Sequence, residues 1–159
     1  MYPCSEYYTP ERLGLIKSAK NYQDFLKVAM NILEEISNDS GIRPIAQVCG
    51  PISTGGTNSR KENLKILSGA IRKLNSDGLT VFNQMPFEND MERVYKSHPS
   101  LQGLRLLEEF YLPIFESGFI SMLCFIPGWT GSTGTKWEHE KARDLNIPRI
   151  YLSDAYIID

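Results

Sequence analysis

Apolar residues recur at two spacings along this chain, and the change between them divides it. Over residues 21–37, Phe25, Val28, Ala29, Ile32, Leu33 and Ile36 fall three and four apart, which predicts an amphipathic helix. Before it, Thr9, Pro10 and Glu11 predict a helix start: a capping hydroxyl, then proline at the first helical position. Leu13 and Ile16 are expected on its inner face. Ser37-Asn38-Asp39-Ser40-Gly41 ends the second helix. Residues 1–40 therefore read as a helical extension packed against a main domain of residues 41–159.

From residue 42 short apolar runs alternate with helical periodicity. Ile45 to Cys49 predicts a strand, and a helix is expected from about Asn58 to Asn75 with Leu64, Leu67, Ile71 and Leu74 inward. Asp77-Gly78 turns the chain into a second strand, Leu79 to Phe82. Residues 83–99 read as irregular, with Pro86 and Pro99 as breakers. Leu101 to Phe115 predicts a helix whose last turn is kinked or shortened by Pro113. Phe119 to Ile126 reads as a buried strand, about Thr135 to Leu145 as a helix, and Pro148 to Leu152 as the last strand. This alternation predicts an α/β fold: a flavodoxin- or Rossmann-like parallel sheet of four to five strands with helices on both faces. Ligands of such sheets sit at the carboxyl ends of the strands.

Composition narrows the partners. The 159 residues suit one compact domain, and 42% hydrophobic residues suffice for its core. The net charge of −2 comes without a Lys/Arg cluster, which argues against binding a nucleic-acid duplex. Small anions stay open, because helix N-terminal N–H groups bind them without net positive charge. Cys4, Cys49 and Cys124 are odd in number, and two lie in apolar runs; they read as reduced thiols of a cytoplasmic protein. Their spacing suits no zinc site, and no metal is implied. MYPCSEYYTPER has no apolar core of a secretory signal, and Phe119 to Ile126 is too short to span a bilayer, so no membrane partner is expected.

Two glycine-rich loops leave the predicted strand ends. In GPISTGGTNS, residues 50–59, small residues let a ligand approach the backbone, and Ser53, Thr54 and Thr57 add hydroxyls. Phosphate or ribose binding is one reading. A plain strand-to-helix turn, with Ser59 and Glu62 as a capping box, is the other. The Gly-Lys-Ser/Thr ending of a Walker loop is absent. The second loop opens PGWTGSTGTKWEHE, residues 127–140. A helix starting near Thr135 sets Glu138 on the face of Ala142 and Leu145, both read as buried, over the strand ends. Thr135-x-x-Glu138 also fits a capping box, and on the residues alone that is the simpler account. His139 and Glu140 read as a solvated face, and His98 as a loop residue.

CGPISTGG, GLTVFNQMPFE and IPGWTGSTGTKWEHEKARDLNIPRIYL resemble stretches of the nucleoside 2-deoxyribosyltransferase-like family, which includes 2′-deoxynucleoside 5′-phosphate N-hydrolases. The resemblance runs from about Ile45 to Leu152. It implies that Glu138 is the nucleophile that attacks the anomeric carbon and expels the base. It assigns the sugar and phosphate to Gly50, Pro51, Ile52, Ser53, Gly55 and Gly56, with Asn83, Gly128, Trp129, Ser132, Gly134 and Thr135. Ser132 stands where deoxyribosyltransferases tend to have aspartate and the N-hydrolases serine, which favours a nucleotide over a nucleoside. Trp129 reads either as stacking on the base or as a lid on the core. No general acid is evident and no cofactor is implied. Family sites are commonly completed by a neighbouring subunit, so a homodimer or higher homo-oligomer is expected, with the aromatic-rich stretch Tyr95 to Phe115 as its interface. Two departures stand out: Ser121 replaces an aspartate that helps arrange the sugar site, and Gln47 an aromatic. Ser121 motivates the alternative of a nucleotide-binding module without turnover, a sensor or sequestering protein. Pro127-Gly128 … Gly134-Thr135-x-x-Glu138 also resembles the motif of the lonely-guy phosphoribohydrolases, with an insertion.

Overall fold

The computed structural model describes residues 4–41, 44–98 and 104–157. It is a Rossmann-like α/β fold with a four-stranded, all-parallel sheet. Two helices, α1 (Pro10–Ser18) and α2 (Tyr22–Ser40), precede the first strand β1 (Ile45–Cys49). Then follow α3 (Arg60–Ser76), β2 (Thr80–Val81) and α4 (Met85–Ser97). A π-helical turn (Leu107–Tyr111) runs into α5 (Leu112–Glu116), β3 (Ile120–Phe125), α6 (Thr133–Asp144) and β4 (Arg149–Tyr151). The strand order is β2-β1-β3-β4, with β1 central and all five of its residues buried.

Alternation along the strands divides the core. Ala46 and Val48 of β1, with Val81, Cys124 and Ile126, pack under Leu67, Ala70, Ile71 and Leu74 of α3. Ile45 and Cys49, with Leu123 and Phe125, face the other way, toward α2, α4 and α5. Leu64 is only half-buried.

The N-terminal helices form part of this second layer. Tyr22, Phe25, Ala29, Ile32 and Leu33 of α2 are wholly buried in the same cluster as the sheet residues. Tyr8 donates its hydroxyl to the Asn83 carbonyl, and Arg93 of α4 donates to the carbonyls of Lys17 and Ala19, each at 3.0 Å. On α1 only Ile16 of the expected pair turns inward; Leu13 is exposed, because the short helix touches the domain along one narrow stripe.

The stretch read as irregular is instead α4. Pro86 lies in its first turn, where the missing N–H is no loss, so the proline starts the helix rather than breaking it. Asn83 Oδ1 accepts from Met85 N at 3.1 Å, and Phe87, Met91 and Val94 fall at helical spacing on the buried face. Pro99 and residues 101–103 lie outside the described residues. The helix expected up to Phe115 widens into the π turn just ahead of Pro113, whose ring would strike the carbonyl four residues back in a regular α-helix. Its aromatics Phe110, Tyr111 and Phe115 are buried, which leaves Tyr95 as the exposed ring of the stretch expected to form an interface.

Among the described residues no helix is long and apolar enough to cross a membrane.

Candidate active site

Both glycine loops leave the carboxyl ends of central strands and touch each other there. The first follows β1, the second β3. Gly55 has a φ of +73°, and a Cβ on it would lie 2.3 Å from the Gly131 carbonyl oxygen. Thr133 N, at the start of α6, donates to Thr54 Oγ1 at 3.2 Å. The first loop is held from within by buried Asn63 of α3, whose Nδ2 donates to the carbonyls of Ile52 and Gly55 at 3.0 and 3.1 Å. Ser59 caps α3, its Oγ accepting from Glu62 N at 3.3 Å, which is one half of the expected capping box; its own N–H donates to Thr57 Oγ1 at 3.2 Å rather than to Glu62.

The cap of α6 differs from the expected one. The helix begins at Thr133 and its cap is Ser132, whose Oγ accepts from Thr135 N at 3.3 Å and from Thr135 Oγ1 at 3.0 Å. Glu138 is thus in the second turn, too far along to return to the cap, and the capping-box account of it fails. Its side chain is buried on the inner face with Ala142, while Leu145, expected there too, is exposed at the helix end.

Glu138 opens onto a cavity of about 390 Å³. The loops form one end through Gly50, Ile52, Ser53, Thr54 and residues 132–135. The other wall carries Met91, Leu106 and Leu107, with Gln84, Glu88 and Tyr111. Arg60, Glu92, Tyr95 and Lys96 complete it.

Two buried carboxyls therefore share one cavity. Cys49 Sγ–H donates to Glu138 Oε2 across 3.3 Å. Burial pushes Glu138 up to about 8; the thiol bond pulls it back, and the charge of Glu88 pushes it further up. Glu88 is raised by burial to about 7, against the pull of Tyr111, which donates to its Oε1 at 3.0 Å, and of Arg60, 3.7 Å from its Oε2. Glu88 has a phenol and a cation beside it and Glu138 only a thiol, so Glu88 ionises first and Glu138 last. Burial also raises the Cys49 thiol and the Tyr111 phenol well above their ordinary values, and both stay neutral.

No family model matches the chain, and no curated protein or solved structure matches it either.

Of the residues the sequence singled out, Gly50, Ile52, Ser53, Ser132, Gly134, Thr135 and Glu138 come together around the cavity. Pro51, Gly55 and Gly56 belong to the loop, and Asn83 Oδ1 accepts from Met85 N ahead of α4; none of them is a lining residue. Gly128 and Trp129 also lie off the cavity: Trp129 stacks on His139 with ring centroids 4.3 Å apart and packs against Phe125. Trp129 thus packs on the core as a lid and does not line the cavity, and His139, read as part of a solvated face, is half-buried in this aromatic group, 2.6 Å from the Tyr151 hydroxyl. Ser121 is exposed at the amino end of β3, beside a register shift. Phe125 ends that strand four residues later, about 13 Å away at a strand's rise of ~3.3 Å per residue. Ser121 cannot reach the cavity, and its identity says nothing against turnover. Gln47 is fully buried, and its side-chain amide finds no hydrogen-bond partner among the described residues.

Sequence reasoning missed Glu88, Tyr111 and Arg60. The signal for Glu88 was present in the Phe87, Met91, Val94 spacing once Pro86 is taken as a helix start. Nothing in the sequence signals that the π turn aims Tyr111 at Glu88.

Proposed function

We propose that the protein cleaves, or transfers across, the N-glycosidic bond of a nucleoside or deoxynucleoside 5′-monophosphate, with Glu138 as nucleophile. One observation carries this reading: Glu138 is a buried carboxyl without a capping role, and it borders a cavity large enough for a nucleotide between two glycine loops. A carboxylate there stabilises the oxocarbenium-like transition state and bonds to C1′ as the base departs. Hydroxyls of Ser53, Thr54, Ser132 and Thr133, set at the positive end of α6 with the Gly134 amide, suit a 5′-phosphate. The motif resemblance over Ile45 to Leu152 points the same way, and with it come a homodimer or higher homo-oligomer and a cytoplasmic setting, which the three free cysteines suit.

The test is incubation with a panel of ribo- and deoxyribonucleoside monophosphates, with chromatography for free base. The parent protein is expected to release base and Glu138→Gln to release none. Tight calorimetric binding with the nucleotide recovered intact would favour the non-catalytic module instead. A Gln variant that still releases base at the parental rate would remove Glu138 from the mechanism.

A further inference from the structure

We propose that Glu88 is the acid that protonates the departing base, which sets the base against the α4 wall and the phosphate against the glycine loops. This rests on glycosidic cleavage at Glu138 and supplies the proton donor which that reaction lacks.

Glu88 is 5% exposed and lines the same cavity as Glu138, on the wall where Met91, Leu106 and Leu107 offer apolar surface to a planar ring. It is not needed as a structural counter-ion. Arg60 already joins α3 to α4 through Glu92 Oε2 at 3.1 Å and through the Glu88 backbone carbonyl at 3.0 Å. The Glu88 carboxyl is the looser partner of that guanidinium, at 3.7 Å. Burying a carboxyl there costs stability, and a buried carboxyl kept on a cavity wall at that cost is a candidate for chemistry. Tyr111 fixes one oxygen and leaves the other toward Arg60 and the cavity.

Glu138 Oε attacks C1′ and forms an ester bond. The C1′–N bond breaks, its electron pair goes to the base nitrogen, and the Glu88 proton follows it. Glu88 is left as a carboxylate beside Arg60. In the second half Glu88 takes a proton from water, the water oxygen bonds to C1′, and the ester bond to Glu138 breaks, which restores both groups.

The charges around the pair fix where one shared proton sits. Glu88 faces Arg60 from α3, Glu92 on its own helix and Tyr111 from the π turn. Glu138 faces Cys49 from β1, Tyr111 from the π turn and Glu88 across the cavity. In the free protein Arg60 favours the Glu88 anion, so the proton rests on Glu138. Cleavage runs through the form in which Glu88 holds the shared proton and Glu138 is the anion.

The experiment compares parent, Glu88→Gln, Glu138→Gln and Tyr111→Phe on a nucleoside 5′-monophosphate and on the 4-nitrophenyl glycoside of the same sugar 5-phosphate, whose leaving group needs no proton. Glu88→Gln should lose about 100-fold or more in kcat/KM on the nucleotide, stay within about 5-fold on the nitrophenyl compound, and lose the alkaline limb of the pH profile. Tyr111→Phe should move that limb to higher pH without abolishing turnover. Equal losses on both substrates, or parental cleavage of the nucleotide, by Glu88→Gln would overturn the assignment; should that variant not fold, an unmoved limb in Tyr111→Phe would do so. Parental activity in Glu138→Gln would instead strike the glycosidase reading beneath it.

Discussion

The Cys49 thiol is the only hydrogen-bond donor to Glu138 among the described residues, across 3.3 Å of buried space. It comes from the last residue of the central strand, so the sheet itself sets the position of the carboxyl. Cys49→Ala removes the bond that favours the charged form and should push Glu138 further up. Because Glu88 ionises first, fewer molecules then combine a Glu138 anion with a protonated Glu88, and kcat/KM at pH 7 is expected to fall ~10-fold. Cys49→Ser keeps a donor and should restore the rate. If alanine and serine behave alike, volume and not hydrogen bonding matters at this position.

Burial of Glu138 also makes stability depend on pH. The unfolded chain ionises this group near the ordinary 4.5, while the folded chain holds the proton up to about 8. Across that window the unfolded state binds fewer protons, so stability falls as pH rises through it and levels off above. Glu138→Gln has no proton to lose. The melting temperature of the variant relative to the parent should therefore climb between pH 5 and 8.5, by on the order of 4 kcal/mol or roughly 10 °C. Parallel melting curves across this range would mean that the carboxyl is solvated.

The parallel sheet is legible because short, mostly apolar runs such as Ile45 to Cys49 alternate with helical spacing such as Leu67, Ile71 and Leu74. The glycine loops and Glu138 were legible from composition and order. What escaped was anything set by backbone detail or by long-range packing. One proline at Pro86 was read as a stop when it was a start, and with α4 went Glu88. The π turn before Pro113 has no periodicity of its own, so Tyr111 could not be aimed from the sequence. Trp129 looked like a ligand residue because it sits in a glycine loop; its partners His139 and Tyr151 are ten and twenty-two residues away and meet it only once α6 and β4 are in place.

The meeting of the two loops can be tested through backbone conformation. Gly55→Ala places a methyl in a left-handed conformation and against the Gly131 carbonyl, so it carries both strain and a clash. Gly128→Ala has a similar φ of +84° with open space around the new Cβ, so it carries the strain alone. Chemical denaturation should show a loss of about 1 kcal/mol for Gly128→Ala and at least twice that for Gly55→Ala. Nucleotide affinity should fall only in the latter. Equal losses would show that the loops do not depend on each other.

Trp129→Ala separates the aromatic group from the cavity. The indole lies on His139 and Phe125 and lines no part of the ligand space. Its removal should lower stability by about 2 kcal/mol, less than for a fully buried ring, and leave the Kd for a nucleoside monophosphate within twofold. A large loss of affinity at unchanged stability would return Trp129 to the base-stacking role.

Ser132 caps α6 and also lines the cavity, so a useful variant must keep the cap while changing the charge. Aspartate caps a helix about as well as serine, and its carboxylate suits the positive end of the helix. Ser132→Asp should therefore melt within about 1 kcal/mol of the parent. Toward a 5′-phosphate the same carboxylate is a like charge at close range in a partly dry cavity. Affinity for a nucleoside monophosphate should drop by about 100-fold, while the matching nucleoside, which has no phosphate to repel, should lose little. Calorimetry with the nucleotide and nucleoside pair on both proteins reads this directly. Equal losses for both ligands would place the phosphate away from α6, at Arg60 or Lys96 on the opposite side of the cavity mouth.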